Sequence, residues 1–348
     1  MRSSKIMMAG LALALAFGFG SAQAGIDLNE VGAFLVYPGV EAYSGHYGNS
    51  VETFVTITNT STQSLIAHVA FIDGYTCFEC DFDVPMSGLD TETLVLTRDR
   101  YARVTHIKNL DSGASRTCAQ KAGFLTVNVE DFDHNVLTDN ILLGSEVVVD
   151  YGAGAAISVP AISIQGDSGD SNRWFAFDGI EYRKFPSIVG ADFLAPDYYD
   201  GIDATLILFT LAFDRQFPPF TDCSVIGFDA FESQFSNSFQ FGCWTAIDLE
   251  DIDPEFAYPF LGDAFDYQEH GWVQLSCTVF GTGSNGVVDG GVHGAIAQSA
   301  PSGAVLRRNA GGPSLGSAAG WARLLYQSGT VGDAMTLHLE QPATGGQF

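Results

Sequence analysis

Positive charge is what this sequence most lacks. Its 15 lysines and arginines stand against 41 aspartates and glutamates, a formal net charge of −26 at neutral pH. Nucleic acid and anionic membrane surfaces are repelled by such a chain, so neither is an expected partner. High ionic strength or divalent cations suit it, and plain solubility is the other use of the charge. Long apolar runs are missing too. After the first two dozen residues no stretch approaches the ~20 apolar residues that a membrane-spanning helix needs. The histidines (His46, His68, His106, His134, His270, His293 and His338) form no H-x-x-x-H or H-x-H pair, so each by itself reads as core or surface rather than ligand. No acidic cluster has the Gly-containing spacing of an EF-hand loop.

What is present begins with a targeting pattern. Arg2 and Lys5 precede the apolar run Ile6–Phe19, and Ser21-Ala22-Gln23-Ala24 stands before Gly25. A basic start, a short apolar stretch and an A-x-A-like site are the parts of a cleaved secretory signal over residues 1–24. No cysteine follows the site, so no lipid anchor is expected there. Removing Arg2 and Lys5 takes the formal charge from −26 to −28. The expectation is an exported protein: extracellular, on the cell surface or periplasmic.

Six cysteines, Cys77, Cys80, Cys118, Cys223, Cys243 and Cys277, all lie after that site. An even number in an exported chain implies disulfides. They divide three and three between the halves proposed below, so either a spare pair bridges the halves or two thiols stay free. Cys77-x-x-Cys80 lacks the electropositive setting of a redox pair, since Glu79 and Asp81 flank it. It also lacks the following histidine of a haem attachment site and a second ligand pair for zinc. A structural disulfide to Cys118 is the favoured reading. A hairpin centred near Ser233 would oppose Cys223 to Cys243, while Cys277 competes for either.

β-Branched and aromatic residues alternating with period two dominate the rest. Val51–Asp73 reads as two strands joined by the polar turn Asn59-Thr-Ser-Thr-Gln-Ser64, a hairpin at the heart of the first domain. Val31–Val36 reads as a strand closed by Pro38-Gly39. Thr91–Thr97, Tyr101–Ile107, Phe124–Val129, Leu142–Val149 and Ala155–Ile164 follow, with Asp81–Asp83 and Glu130–Asp133 read as acidic turns. Residues 166–172, small and polar, read as a linker. The fold class is therefore all-β: two tandem immunoglobulin-like or related antiparallel sandwiches, 25–165 and 173–348, the second aromatic-rich with Gly/Ser-rich loops.

Chemistry is sparse. Gly166-Asp-Ser168-Gly169 resembles the nucleophile motif of chymotrypsin-like serine proteases. Asp170 replaces its second glycine, no cysteine flanks it, and His68 sits inside a strand, so a solvated linker is the better reading. The densest acidic cluster offers Asp248, Glu250, Asp251 and Asp253 as a calcium site, against the alternative of a solvated acidic face. Tyr198 and Tyr199 form a candidate platform for a sugar ring or a protein partner.

Gly32-Ala-Phe-Leu-Val-Tyr-Pro38, Ile57-Thr-Asn-Thr-Ser61, Ala67-His-Val-Ala-Phe71, Asn140-Ile-Leu-Leu-Gly-Ser-Glu146 and Phe239-Gln-Phe-Gly-Cys-Trp244 together resemble an uncharacterised family of exported Gram-negative bacterial proteins. The resemblance implies a β-sandwich and carries no catalytic residue. The expected function is accordingly non-enzymatic: binding, adhesion or extracellular assembly at the cell exterior. One route is β-strand augmentation, with Val31–Val36 added to a neighbouring subunit's sheet. The alternative is a carbohydrate-binding or glycan-hydrolysing protein, and a serine hydrolase at Ser168 is a distant third. Calcium is the one cofactor the sequence raises.

Overall fold

The computed structural model describes residues 30–45, 50–152, 155–167, 175–194, 203–212, 219–228, 234–257, 270–281, 286–299, 320–327, 332–333 and 335–337. Every sheet in them is antiparallel. The first half contains β1 (Phe34–Glu41), β2 (Tyr43–Ser44), β3 (Ser50–Asn59), β4 (Leu65–Asp73), β5 (Glu79–Met86), β6 (Thr91–Asp99), β7 (Val104–Asn109), β8 (Ser115–Cys118), β9 (Ala122–Glu130), β10 (Val136–Leu137), β11 (Leu142–Asp150), β12 (Ala155–Pro160) and β13 (Ile162–Ile164). The second contains β14 (Phe175–Phe177), β15 (Ile188–Leu194), β16 (Asp203–Thr210), β17 (Phe220–Phe228), β18 (Gln234–Phe241), β19 (Trp244–Asp248), a one-turn helix α1 (Leu249–Ile252) and a 3-10 turn Pro254–Phe256. It continues with β20 (His270–Phe280), β21 (Val287–Asp289), β22 (Val292–Ser299), β23 (Gly320–Leu324), β24 (Tyr326–Gln327) and β25 (Met335–Leu337).

Four sheets stack. Sheet 1 runs β12-β11-β3-β6-β7-β8, and sheet 2 runs β13-β1-β9-β4-β5. Sheet 3 runs β19-β16-β22-β23, and sheet 4 runs β18-β17-β20-β15-β24. Val55, Ile57, Leu94 and Leu96 of sheet 1 meet Val69, Phe71, Phe82 and Val127 of sheet 2 in one core. The opposite face of sheet 2 carries Phe34, Val36, Ala70, Ile72 and Phe124, which belong to the core of the second half. Phe124 stacks on Phe209 of sheet 3 with ring centroids 5.3 Å apart. Phe34 is met edge-on by Phe175, Phe177 and Tyr182 at 5.3, 5.4 and 5.9 Å. Sheet 2 is thus an inner layer with two buried faces, which is why Leu65–Ile72 of β4 are buried without interruption. A strand buried on both sides reads as a continuous apolar run rather than an alternation.

Three expectations about this half need correcting. Val51–Asp73 is not a hairpin: β3 pairs with β6 and β11 in sheet 1, and β4 with β5 and β9 in sheet 2. The two strands face each other across the core instead of lying side by side, because the side chains of both point into it. Asn59 holds the arch between them. Its amide donates to the carbonyls of Gln63 and Ser87 at 2.7 and 2.8 Å, and its Oδ1 accepts from the Ser61 N–H and hydroxyl at 3.0 and 2.8 Å. Asn59→Ala would remove the four hydrogen bonds that this buried side chain makes across the arch, a loss of about 3 kcal/mol read by urea unfolding; a change below about 1 kcal/mol would mean that the arch does not depend on Asn59.

Pro38-Gly39 does not close the first strand either. The pairing of β1 with β9 shifts register between Tyr37 and Val40, a bulge, and the strand continues to Glu41. Side chains from elsewhere satisfy the displaced backbone: Trp244 Nε1–H donates to Pro38 O at 2.7 Å, and Glu146 Oε1 accepts from Gly39 N–H at 3.1 Å. Residues Phe34–Val36 are fully buried and paired on both sides, with β13 and with β9. They form an internal strand of their own chain, so a deletion reaching Pro38 would remove part of the core. The third correction concerns Asp81–Asp83, which lie in β5 rather than in a turn.

The cysteines pair 77–243, 80–118 and 223–277. The spare pair therefore ties sheet 2 to sheet 3. Register decides the last two: Cys223 lies directly opposite Cys277 on β20, whereas the β17–β18 hairpin opposes it to Phe239. Beside the 77–243 bridge the Trp244 ring covers Gly74, where a Cβ would come within 2.3 Å of Trp244 Cε3. Residues 1–29 and most of the expected linker lie outside the described residues. Its described beginning is paired with the second half: Gly166 bridges to Tyr182, and Asp167 N–H donates to Glu181 O.

Candidate functional site

Two places gather functional groups. The first lies on the sheet 2 face that is turned toward the second half. Cross-strand register puts His68 of β4 directly between Asp83 of β5 and Asn128 of β9. Glu130, two residues beyond Asn128, shares that face because side chains alternate along a strand. His68 and Asp83 are each 2% exposed and Glu130 4%. His68 Nδ1 lies 2.9 Å from Asp83 Oδ1. The turn after β9 brings His134 back, its Nδ1 3.1 Å from Glu130 Oε2 and 3.8 Å from Asp83 Oδ2. Asp131 ties that turn by accepting from the Asp133 and Asn135 N–H groups, and His134 itself has φ +60°.

Burial alone would push the His68 imidazole down. The hydrogen bond to Asp83 and the charges of Glu130, Asp83 and Asp81 outweigh it and hold His68 above its ordinary value. Among the described residues, His68, Asp83 and Glu130 are the metal-ligating side chains that converge, with one donor atom from each inside a 4.8 Å sphere of mutual distance. Sequence reasoning missed this set. It took Asp81–Asp83 and Glu130–Asp133 as surface turns and His68 as a lone strand residue. The legible signal was the alternation Asp81-Phe82-Asp83-Val84, which is a strand pattern.

The second place is the solvent face of sheet 4. Thr221, Cys223 and Val225 of β17 and Val273, Leu275, Cys277 and Val279 of β20 point inward and are buried. Their even-numbered neighbours form the outer face. At one end Phe228 and Trp272 sit side by side with centroids 5.4 Å apart, and at the other Phe220 and Phe280 at 5.9 Å. Between them stand Ser224, Ile226, Gln274, Ser276 and Thr278, with the hydroxyls and amides of β18 alongside. The described acids on this face are Asp222, Asp192 and Asp289 of the edge strand β21, and it carries no described lysine or arginine. At ~3.3 Å per residue the two aromatic pairs are about 26 Å apart.

The sites read from sequence are placed differently. Asp248 accepts from the Thr205 hydroxyl at 2.5 Å and stands at the start of α1. Asp253 caps the following 3-10 turn and accepts from Asn237 Nδ2 at 3.0 Å. Glu250 and Asp251 project into solvent from the first turn of α1. The structure gives these four acids separate duties and does not draw them together. Tyr198, Tyr199 and Ser168 lie outside the described residues. All six cysteines are in disulfides. His293, buried and pushed down to about 4 by desolvation, is a neutral core histidine as its isolation in sequence suggested. No helix among the described residues is long and apolar enough to cross a membrane.

No family model, no curated protein and no solved structure matches the chain.

Proposed function

We propose that the protein is an exported, non-enzymatic binding protein of the cell exterior, and that it engages its ligand through the solvent face of sheet 4. The observation that carries this reading is the pair of aromatic clusters, Phe228/Trp272 and Phe220/Phe280, at the two ends of one face whose middle, Ser224, Ile226, Gln274 and Ser276, is uncharged. In a chain with 41 acids, such a face stands apart. Aromatic faces stack on the C–H side of a sugar ring, and serine, threonine and glutamine bonds to hydroxyls cost no buried charge. The span suits an extended neutral oligosaccharide better than a single sugar. Three disulfides support the oxidising compartment that export implies.

A glycan array tests the ligand class. Trp272→Ala, paired with Phe280→Ala, should weaken a bound neutral glycan about tenfold or more, as stacking contacts worth ~1–3 kcal/mol are lost. Retained binding in both variants would remove the face from the proposal. The second reading is self-assembly through the same face, which the exposed Phe220 and Phe280 favour, at 46% and 40% of their surface. Sedimentation velocity separates the two: assembly predicts concentration-dependent dimers that Phe220→Ser abolishes, and glycan binding predicts a monomer throughout.

Edges are less suited to the task. β5 carries Pro85 on the rim of sheet 2. On β18 the Asn237 side chain is tied to Ile252 O at 2.7 Å, laying the α1 segment against that strand. Proline and covering segments are how sheet edges are kept from pairing with other chains.

A further inference from the structure

We propose that His68, Asp83, Glu130 and His134 form a closed binding site for one divalent transition-metal ion of the zinc type. The geometry is that of a ligand set. In a tetrahedral zinc site with bonds of about 2.0–2.1 Å, neighbouring donor atoms are about 3.3 Å apart. Here His68, Asp83 and Glu130 already hold one donor atom each within 4.8 Å of the others, with His68 2.9 Å from Asp83 Oδ1; His134 stands just outside that set, 3.1 Å from Glu130 Oε2 and 3.8 Å from the other Asp83 oxygen. A turn of the partly exposed His134 ring would add the fourth donor to an ion held by the other three.

The electrostatics agree. Asp83 and Glu130 are both buried, yet among the described residues neither is met by a lysine or an arginine; their partners are His68, His134 and the Asn128 amide. Two buried carboxylates without a permanent cation are costly, and a divalent ion neutralises both at once. Independent of the four ligands, three polar atoms beside them are buried with no hydrogen-bond partner: Asn128 Oδ1, Asp81 Oδ2 and the Tyr182 hydroxyl. Asn128 faces the cluster across from His68, and Asp81 lies two residues from Asp83 on the same face of β5. Tyr182 comes from the second half and is near enough to Glu130 to feel its charge. Outer groups of this kind orient metal ligands.

The donor set selects the ion. Two imidazoles and two carboxylates suit zinc and its neighbours, whereas calcium wants six to eight oxygens. With four protein ligands no position is left open, so the role is structural, pinning β4, β5 and the turn after β9 next to Tyr182. The His134 side chain is 37% exposed and gives the ion its way in.

The test uses the full chain without an affinity tag, stripped with EDTA and then titrated with Zn2+ by calorimetry and with Co2+ by visible absorption. One equivalent of each should bind, the Co2+ complex showing the intense bands of four-coordination, and Zn2+ should raise the melting temperature. His134→Ala, at a half-exposed position that leaves the core intact, should lower Zn2+ affinity about tenfold or more. Asp83→Asn should do the same and abolish the Co2+ bands. Failure to bind either ion overturns the proposal. So does binding that His134→Ala and Asp83→Asn leave unchanged, which would place the metal on other histidines.

Discussion

Cys77→Ala combined with Cys243→Ala is expected to lower the stability of the chain by about 5 kcal/mol. The bridge joins residues 166 apart in sequence. Closing a loop of that length removes, in the chain-entropy description, about 5 kcal/mol of disorder from the unfolded state. Cys80–Cys118 and Cys223–Cys277 close loops of only 38 and 54 residues and lie each within one half. Alanine is the right replacement at position 77, where φ is +60°, because it keeps the backbone preference of the cysteine it replaces. The two sulfurs also sit where Trp244 covers Gly74, so the same change loosens the contact between sheets 2 and 3. Urea unfolding should still show one transition, because Phe34, Phe124 and Phe209 continue a single core across both halves. A loss below about 1 kcal/mol, or two separated transitions, would show that the halves are independent and the bridge incidental.

Glu146→Gln is expected to stabilise the protein at neutral pH and to flatten its pH dependence. Glu146, on β11, is 1% exposed beneath the β1 bulge; its Oε1 accepts from Gly39 and its Oε2 has no partner. Burial, the dominant cause, pushes its carboxyl up to about 8 against an ordinary 4.5, and the Gly39 bond only partly opposes this. The folded protein therefore holds a proton that the unfolded chain has released. Between about pH 4.5 and 8 the unfolded state binds fewer protons, so stability falls as pH rises, by up to ~1.4 kcal/mol per unit, and levels off above the folded value. The contribution is fully present below the unfolded value and lost on passing through the folded one. Glutamine keeps the acceptor for Gly39 and carries no proton to lose. From pH 5 to pH 7.5 the gap between variant and wild type should widen by about 3 kcal/mol. Other carboxyls, such as Glu41 and Glu92, are common to both proteins and cancel in the difference. Parallel profiles would mean that Glu146 is ionised and paired in solution.

The sequence by itself determined the class of the fold and most strand positions, because period-two alternation reports which side of a strand is buried. Thr53, Val55 and Ile57 point into the core as their spacing requires. It also pointed to disulfides, from the even number of cysteines and the export pattern, while leaving open whether a spare pair would bridge the halves or two thiols stay free. What it could not determine is pairing. The same alternation fits a hairpin and an arch, and only the stacking of sheets 1 and 2 separated β3 from β4. Nor could it show that sheet 2 is covered twice, because burial of the second face depends on strands more than a hundred residues later. His68, Asp83 and Glu130 come together by register across three strands, and local spacing carries no trace of register. The 77–243 bridge is the same lesson. A count of three and three leaves one cysteine over in each half, and the distance between the two is a property of the packed sheets alone.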